Sequence, residues 1–293
     1  AEYMINNTRY RLKEPHDLSF LSRYGTVFCV FDENDSGNIS FGVDNGSKKY
    51  FIKIAGLHTM SSCISTDTAI GNLHNAMTVY EEIQHPNLIE LYKYFGIDGL
   101  YVAVFKWVDG ECLFDHWNFE KYSNDKSITP PRDRFRQLPL QKRLEAFDTV
   151  LSFMKIVAQC GYFAMDFYDG SLMYDFTNDK LTVCDIDLFA KMPLINYIGK
   201  MWGSSRFMSP EEYQLGAVID EITNVFTVGA MSFMFFGNDR DRSLEKWNAG
   251  KALYDIAERA TNTERNKRYQ SIDEFINIWN IATNKSFSFD TVR

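Results

Sequence analysis

The feature that most constrains this chain is a stretch in which acidic residues follow short apolar segments. Asp166 lies in a polar loop, two apolar runs follow at residues 172–174 and 181–183, and Asp185 and Asp187 come directly after the second run. Apolar runs of this length separated by a polar turn predict a β-hairpin. Carboxylates at such strand ends are one common way to build a site for Mg²⁺ and a nucleotide. The alternative is a plain hairpin whose turn acids are solvated.

Length, hydrophobicity and charge narrow the possible classes of protein. The 293 residues, 45% of them hydrophobic, suit one large domain or two lobes with a packed interior. A net charge of -8 argues against a nucleic-acid partner, because phosphate binding over a long interface needs an excess of Lys and Arg. The longest apolar run, residues 225–236, is far shorter than the ~20 residues that cross a bilayer. We therefore expect a buried helix there and no membrane insertion.

The cysteines and the first residues bear on the compartment. The cysteines are odd in number, widely spaced and include no C-x-x-C pair, which favours reduced, buried thiols. The first residues contain no basic segment followed by an apolar one, so we expect no secretory signal. Together these features predict a cytoplasmic protein.

The first third of the chain contains signals for β-strands and turns. Residues 24–32 are rich in β-branched and aromatic side chains and predict a strand, which a turn over residues 33–37 would end. Gly37, Phe41 and Gly42 follow, and glycine allows a backbone to approach phosphates without a Cβ in the way. We read residues 37–43 as a phosphate-covering hairpin, with a plain hairpin turn as the alternative.

A lysine inside an apolar strand is the strongest charged signal of this region. Lys53 lies between Ile52 and Ile54, and such a lysine needs either an anionic partner or a route to solvent. Apolar positions over residues 67–84 recur with helical spacing and predict a helix. Residues 139–161 predict a second, longer helix in the same way.

In order along the chain, several segments resemble the protein-kinase-like superfamily. The matching segments are Phe51-Ile52-Lys53 for V-A-I-K, His85-Pro86-Asn87 for H-P-N, Asp166 to Ser171 for H-R-D-x-x-x-x-N, Asp185-Ile186-Asp187 for D-F-G, and residues 203–211 for G-T-x-x-Y-M-A-P-E. The last segment is the most specific match, because it follows the pattern position for position in length. The resemblance spans roughly residues 24–284.

The resemblance implies an α+β, two-lobed fold. Residues 1–23 would be a lead-in, residues 24–108 a small antiparallel β N-lobe with one helix, and residues 109–293 a hinge and a larger α-helical C-lobe. It also implies a buried ion pair between Glu211 and Arg268, and a cap on the catalytic-loop backbone by Asn224, where the family usually has Asp.

The resemblance also implies a site for ATP and Mg²⁺. Asp166 and Lys53 would be the catalytic residues, with Asp166 as base or orienter of the attacking hydroxyl and Lys53 holding phosphates. Backbone groups near Lys106 and Val108 would hold the adenine. The other expected contacts are Gly37, Phe41 and Gly42 to the cofactor, and Asp185, Ser171 and Asp187 to the metal.

Some expected residues are absent. Ile39 replaces the middle glycine of the hairpin, and Tyr168 replaces a lysine that normally neutralises the transferring phosphoryl group. The helix glutamate that usually pairs with the strand lysine falls at Ala76, so Glu81 or Glu82 would have to replace it, or Asn75 would bond the lysine, or the pair is not made.

Three functions therefore stay open. The first is an ATP-dependent kinase acting on Ser or Thr hydroxyls of proteins. The second is a small-molecule kinase resembling aminoglycoside or choline phosphotransferases, which also lack that lysine. The third is a pseudokinase that serves as a binding scaffold. Because Ala164 and Met165 replace the His-Arg pair that normally clamps an activation-loop phosphate, we expect activity to be independent of phosphorylation at Ser204 or Ser205.

Overall fold

The computed structural model describes residues 1–33 and 36–283, which form α+β structure with antiparallel sheets. The chain divides into two compact units. The first unit holds Ala1–Gln84 and Leu88–Gly110, and the second holds His85–Asn87 and the described residues from Glu111 onward. None of the helices within these described ranges combines the length and the apolarity that crossing a bilayer requires.

The first unit is built on an antiparallel sheet of five strands. In chain order its elements are β1 (Glu2–Ile5), β2 (Thr8–Arg11), β3 (Thr26–Phe31), β4 (Asn38–Asp44), β5 (Lys49–Ala55), the helix α1 (Thr66–Glu82), β6 (Leu91–Ile97) and β7 (Leu100–Lys106). The five-stranded sheet has the order β3-β4-β5-β7-β6, and β1 and β2 form a separate hairpin. The predicted helix over residues 67–84 is confirmed. It begins at Ser65, whose hydroxyl accepts the backbone N–H of Thr68.

The core of this unit uses one face of the sheet and the N-terminal residues. Ile39, Phe41 and Val43 alternate inward along β4 and pack with residues of β5 and β7. Residues 1–23, expected to be a lead-in, supply the hairpin and part of a 3₁₀ turn at Ser19–Tyr24. Their apolar members complete the core: Tyr10, Leu12, Leu18, Phe20 and Leu21.

The hairpin predicted at residues 37–43 is present in part, because β3 and β4 pair antiparallel and residues 38–43 belong to the second strand of that pair. Its role in covering phosphates stays a prediction. Residues 38–44 form the continuous strand β4, paired with β3 on one side and β5 on the other. The alternation of three apolar side chains into the core outweighs the glycine signal there. Gly37 directly precedes the strand with φ +77°. Asn34 and Asp35 of the predicted turn lie outside the described residues.

The second unit is mainly helical. Its helices are α2 (Phe119–Asn124), α3 (Pro131–Arg136), α4 (Leu140–Gln159), α5 (Glu221–Phe236), α6 (Lys251–Ala260) and α7 (Ile272–Ala282). The predicted long helix over residues 139–161 is confirmed as α4. Residues 225–236 form the greater part of α5 and are all buried, which confirms the prediction of a buried helix.

Short strands in the second unit carry the acidic stretch. They are β8 (Glu111–Cys112), β9 (Tyr162–Phe163), β10 (Leu172–Asp175), β11 (Lys180–Val183), β12 (Ala190–Lys191), β13 (Leu194–Ile195) and β14 (Val218–Ile219). The predicted hairpin is confirmed, because β10 and β11 pair antiparallel with Leu172 opposite Val183. Cys112 of β8 lies opposite Met173 on the other edge of β10. Asp166 thus lies in the loop between β9 and β10, and Asp185 lies two residues after β11.

Candidate functional site

Three acidic residues of the second unit, Asp166, Asp179 and Asp185, have an unusual backbone. Asp166 has φ +58° and Asp185 has φ +52°, so both adopt the left-handed region. Residues other than glycine are uncommon there, although Asp tolerates the region better than most. Backbone of this kind persists only where the surroundings determine it, and it is frequent at functional sites. The contacts that hold the loops of Asp166 and Asp185 in this conformation therefore bear on their function.

One buried serine connects the two acidic loops. The Ser171 hydroxyl donates to the backbone carbonyl of Asp166 at 3.5 Å. The Ser171 carbonyl accepts the N–H of Cys184, the residue before Asp185, at 2.8 Å. The side chain is 0% exposed. Ser171 was expected to bind a metal, whereas the structure shows it fixing the positions of the two acids. Its role as a metal ligand stays a prediction.

Asn224 supports the loop of Asp166 from the first turn of α5. Its side-chain oxygen accepts the N–H of Ala164 at 2.9 Å, and its side-chain nitrogen donates to the carbonyl of Tyr162 at 2.8 Å. Both ends of the amide are therefore used by the backbone just before Asp166. This confirms the prediction that an amide at this position caps the loop.

The predicted pair between Glu211 and Arg268 is also confirmed. Arg268 donates both terminal nitrogens to the two carboxylate oxygens, at 2.7 and 2.9 Å. Arg265 adds a further bond to Glu211 at 2.7 Å, which no sequence pattern indicated. Burial alone would raise the pKa of Glu211, but the hydrogen bonds and the charge of Arg268 lower it below its ordinary value. The carboxylate is therefore ionised and fully paired.

Residues 203–211 lie against the loop of Asp166. A Cβ at Gly203 would be 3.7 Å from the Cα of Asp166, so the two backbones are in contact. Three residues further on, Arg206 donates to both carboxylate oxygens of Asp169, at 2.9 and 2.7 Å, and to Asp239 at 2.7 Å. Asp169 belongs to the same loop as Asp166. Arg206 thus fixes the 203–211 segment to that loop through charge-assisted hydrogen bonds.

Two further arginines extend this network. Arg136 donates to Asp239 at 2.7 Å, and Arg132 lies 3.4 Å from Asp239 and 3.7 Å from Asp169. Burial opposes ionisation of Asp239, yet the arginines lower its pKa to about 2. No sequence signal pointed to this network, because its members are common residue types scattered from position 132 to position 239.

Lys53 of the first unit has buried polar neighbours on its own face of the sheet. Lys53 lies directly opposite Ser40 of β4, so the two side chains share that face. Asn38, two residues before Ser40, shares it as well. The Ser40 hydroxyl and the side-chain oxygen of Asn38 are buried and accept or donate no hydrogen bond among the described residues. Buried polar atoms without partners are rare, so this face has the chemistry to receive a polar ligand.

Phe41, Gly42 and Gly37, which were expected to contact the cofactor, have different surroundings. Phe41 is fully buried in the core and packs its ring on Tyr10 at 5.6 Å, which gives it a packing role instead. A Cβ at Gly42 would lie 2.4 Å from the sulfur of Cys29, so this glycine makes room for a neighbouring side chain. A Cβ at Gly37 would lie 3.0 Å from the Cβ of Ala69 in α1. Gly37 alone of the three precedes the strand in a left-handed conformation.

The other residues expected at the cofactor site and in α1 also lie in the first unit. Lys106 ends β7 and donates its backbone N–H to the Glu90 carbonyl at 2.9 Å, and Val108 follows half-buried in irregular structure. Ala76, where a glutamate was expected, is fully buried. Glu81 accepts the hydroxyl of Tyr94 in β6 at 2.8 Å. Glu81 therefore has a partner within the sheet.

The acidic residues fit the manner in which Mg²⁺ is usually bound. Asp185 is exposed and Asp187 half-buried, so two carboxylates that solvent can reach lie just after β11. Among residues 1–33 and 36–283, no three His, Cys, Asp or Glu side chains come together as a metal cage. Mg²⁺ is generally held by one or two carboxylates together with substrate phosphates, and the donor set here has that form.

Neither the models of protein families nor the sequences of curated proteins match this chain.

Proposed function

We propose that this chain is an ATP- and Mg²⁺-dependent phosphotransferase with a two-lobed, protein-kinase-like fold, and that it moves the γ-phosphoryl group to a Ser or Thr hydroxyl of a protein. One observation carries the proposal. The buried Ser171 holds the loops of Asp166 and Asp185 together while both acids adopt left-handed backbone. A plain hairpin with solvated turn acids would not need the buried link between the two loops, whereas left-handed backbone also occurs at Asp179 in the turn between β10 and β11.

Each acidic or basic residue has a separate task in this proposal. Asp166 accepts the proton of the attacking hydroxyl and orients it. Asp185, with Asp187, supplies the carboxylates that would hold Mg²⁺, and Lys53 would hold the phosphates of ATP. When bound, Mg²⁺ neutralises charge that develops on the phosphate oxygens.

Two further contacts favour a protein kinase over a small-molecule kinase. The paired Glu211 and Arg268 hold the end of the 203–211 segment, and Arg206 holds its middle against the Asp166 loop. A segment fixed in this way presents an ordered surface beside Asp166, as recognition of an extended peptide acceptor requires.

One observation favours the alternative of a non-catalytic binding module. Ala76 occupies the place of the expected helix glutamate, and Glu81 is bonded to Tyr94. This arrangement of α1 departs from the one that the resemblance implies for an active kinase.

The test is a thermal-shift titration with ATP and Mg²⁺, because a ligand that binds only the native state must raise its stability. We expect a Mg²⁺-dependent shift for the unaltered chain and its loss in Lys53→Met and in Asp185→Asn. The matched controls are Lys251→Met and Asp255→Asn, which remove one charge each from an exposed ion pair. They should keep the shift. No shift at millimolar ATP would contradict the proposal. A shift with no transfer to peptides or aminoglycosides would support the binding module.

A further inference from the structure

Tyr168 lies two residues after Asp166 and has a tightly defined position. Its ring lies over Gly170, where a Cβ would come within 2.3 Å of the ring carbon that bears the hydroxyl and 2.5 Å of the hydroxyl oxygen. Real Cβ atoms do not approach other atoms so closely, so any side chain at position 170 would displace the ring. Glycine at this position is therefore a requirement of the Tyr168 conformation.

Neighbouring side chains hold the ring from its other sides. The ring of Phe114 meets it edge to face, with the centroids 6.0 Å apart. Phe114 is itself covered by the guanidinium of Arg206 at 4.4 Å. The Cys112 thiol donates to the carbonyl of Gly170 at 3.4 Å and so anchors the backbone beneath the ring. Tyr168 is thus positioned by residues of three separate segments.

The hydroxyl of Tyr168 is an unused hydrogen-bond donor. It bonds to no other residue in the described part of the chain, although its ring is largely buried. Burial raises the pKa of the phenol, and the carboxylates of Asp166 and Asp185 raise it further. Tyrosine is protonated at neutral pH even without these effects. A fixed, neutral donor therefore lies within electrostatic range of both acidic residues.

We propose that the Tyr168 hydroxyl donates a hydrogen bond to the transferring phosphoryl group and is a catalytic residue of this site. The inference depends on the proposed function. In the step itself, the bond from the acceptor oxygen to phosphorus forms while the bond from phosphorus to the departing ADP oxygen breaks. The acceptor proton passes to Asp166. Tyr168 keeps its proton and stabilises the negative charge on a phosphoryl oxygen, as a preorganised donor does in other sites where charge develops.

The decisive variant is Tyr168→Phe, which removes the hydroxyl and keeps the ring packing. We expect turnover of Mg²⁺-ATP, followed as ADP release with water or a peptide mixture as acceptor, to fall by roughly 10- to 100-fold. The KM for ATP should stay within about twofold of its value in the unaltered chain, and the thermal shift by Mg²⁺-ATP within about one degree. The reason is that the hydroxyl acts mainly in the transition state. A purely structural residue would not separate kcat from KM in this way.

Two companion variants sharpen the test. Gly170→Ala displaces the ring by steric conflict and should reduce turnover at least as much as Tyr168→Phe. Tyr254→Phe removes a phenol hydroxyl that donates to the Arg242 carbonyl elsewhere in the same unit, and should leave turnover unchanged.

The outcomes separate this inference from the proposed function. If the unaltered chain neither binds nor turns over Mg²⁺-ATP, the proposed function fails and the inference fails with it. If the unaltered chain turns over and Tyr168→Phe matches it in kcat, only the inference is overturned. A loss of turnover in Tyr168→Phe that is accompanied by an equal loss of ATP binding would also overturn it.

Discussion

Replacing Arg268 by Met would test whether the pair with Glu211 holds the second unit together. Arg268 is completely buried, and Glu211 is 4% exposed. Methionine fills a similar volume but leaves the carboxylate without its two-pronged partner. Breaking a buried pair from one side generally costs about 3–5 kcal/mol, because a charge is left in a poorly solvated place. Arg265 still donates to Glu211 at 2.7 Å, so we expect the lower end, roughly 3 kcal/mol.

The assay is thermal unfolding at neutral pH, checked by urea titration. For a domain of about 150–250 residues, each kcal/mol shifts Tm by about 2–4 °C, so Arg268→Met should unfold roughly 6–12 °C lower. Lys251→Met is the matched control, because it also exchanges a paired cation for methionine but at an exposed site. Its Tm should change by no more than about 2 °C.

A double variant shows whether the uncompensated charge is the cause. If it is, Glu211→Leu combined with Arg268→Met should be more stable than Arg268→Met alone, since no carboxylate is then left buried. A Tm for Arg268→Met that equals the Lys251→Met control would refute the reasoning. The reasoning would also be refuted if the double variant lost more free energy of unfolding than the two single variants lose together.

Three other predictions concern pH, the loop support and regulation. Burial raises the pKa of Glu212 from 4.5 to about 7, so between these pH values the folded state binds more protons than the unfolded state. The free energy of unfolding should therefore fall by roughly 3 kcal/mol as pH rises through that window. Glu212→Gln should remove this decline in urea titrations at pH 5 and pH 8, and an unchanged decline would assign it to another group. Asn224→Leu leaves the Ala164 N–H and the Tyr162 carbonyl unpaired and should lower the free energy of unfolding by about 2–4 kcal/mol, whereas a change under about 1 kcal/mol would show that the cap is dispensable. Ser204→Ala with Ser205→Ala should keep the turnover of Mg²⁺-ATP within about twofold, since Arg206 already fixes their segment, and a large loss would indicate control by phosphorylation.

The sequence predicted the features that a local pattern determines. The strand pair after Asp166, the helix α4 and the buried helix α5 follow from hydrophobic periodicity. The contact between Glu211 and Arg268 and the cap by Asn224 followed from resemblance to a family whose motifs place those residues together. The strand pair and the helices are thus defined within short segments, whereas the two long-range contacts join residues about 60 positions apart and needed the resemblance.

What the sequence did not predict depends on tertiary proximity. The glycines before and within β4 indicated a hairpin turn near residues 37–43, whereas three alternating apolar side chains make residues 38–44 one continuous strand. The network of Arg206 joins residues 33 or more positions apart that have no distinctive spacing. The close approach of Tyr168 to Gly170 was equally invisible, because a glycine in a polar loop has many ordinary explanations.

The hairpin of β1 and β2 has a practical consequence for work with this protein. Tyr10 and Leu12 cover the same sheet face as Phe41 of β4. A shortened version starting at residue 24, where the family resemblance begins, would leave a broad apolar face open to water and to other copies of itself. Such a version should express poorly or aggregate during purification. A failure of that kind would result from the choice of starting residue and would not bear on the candidate site.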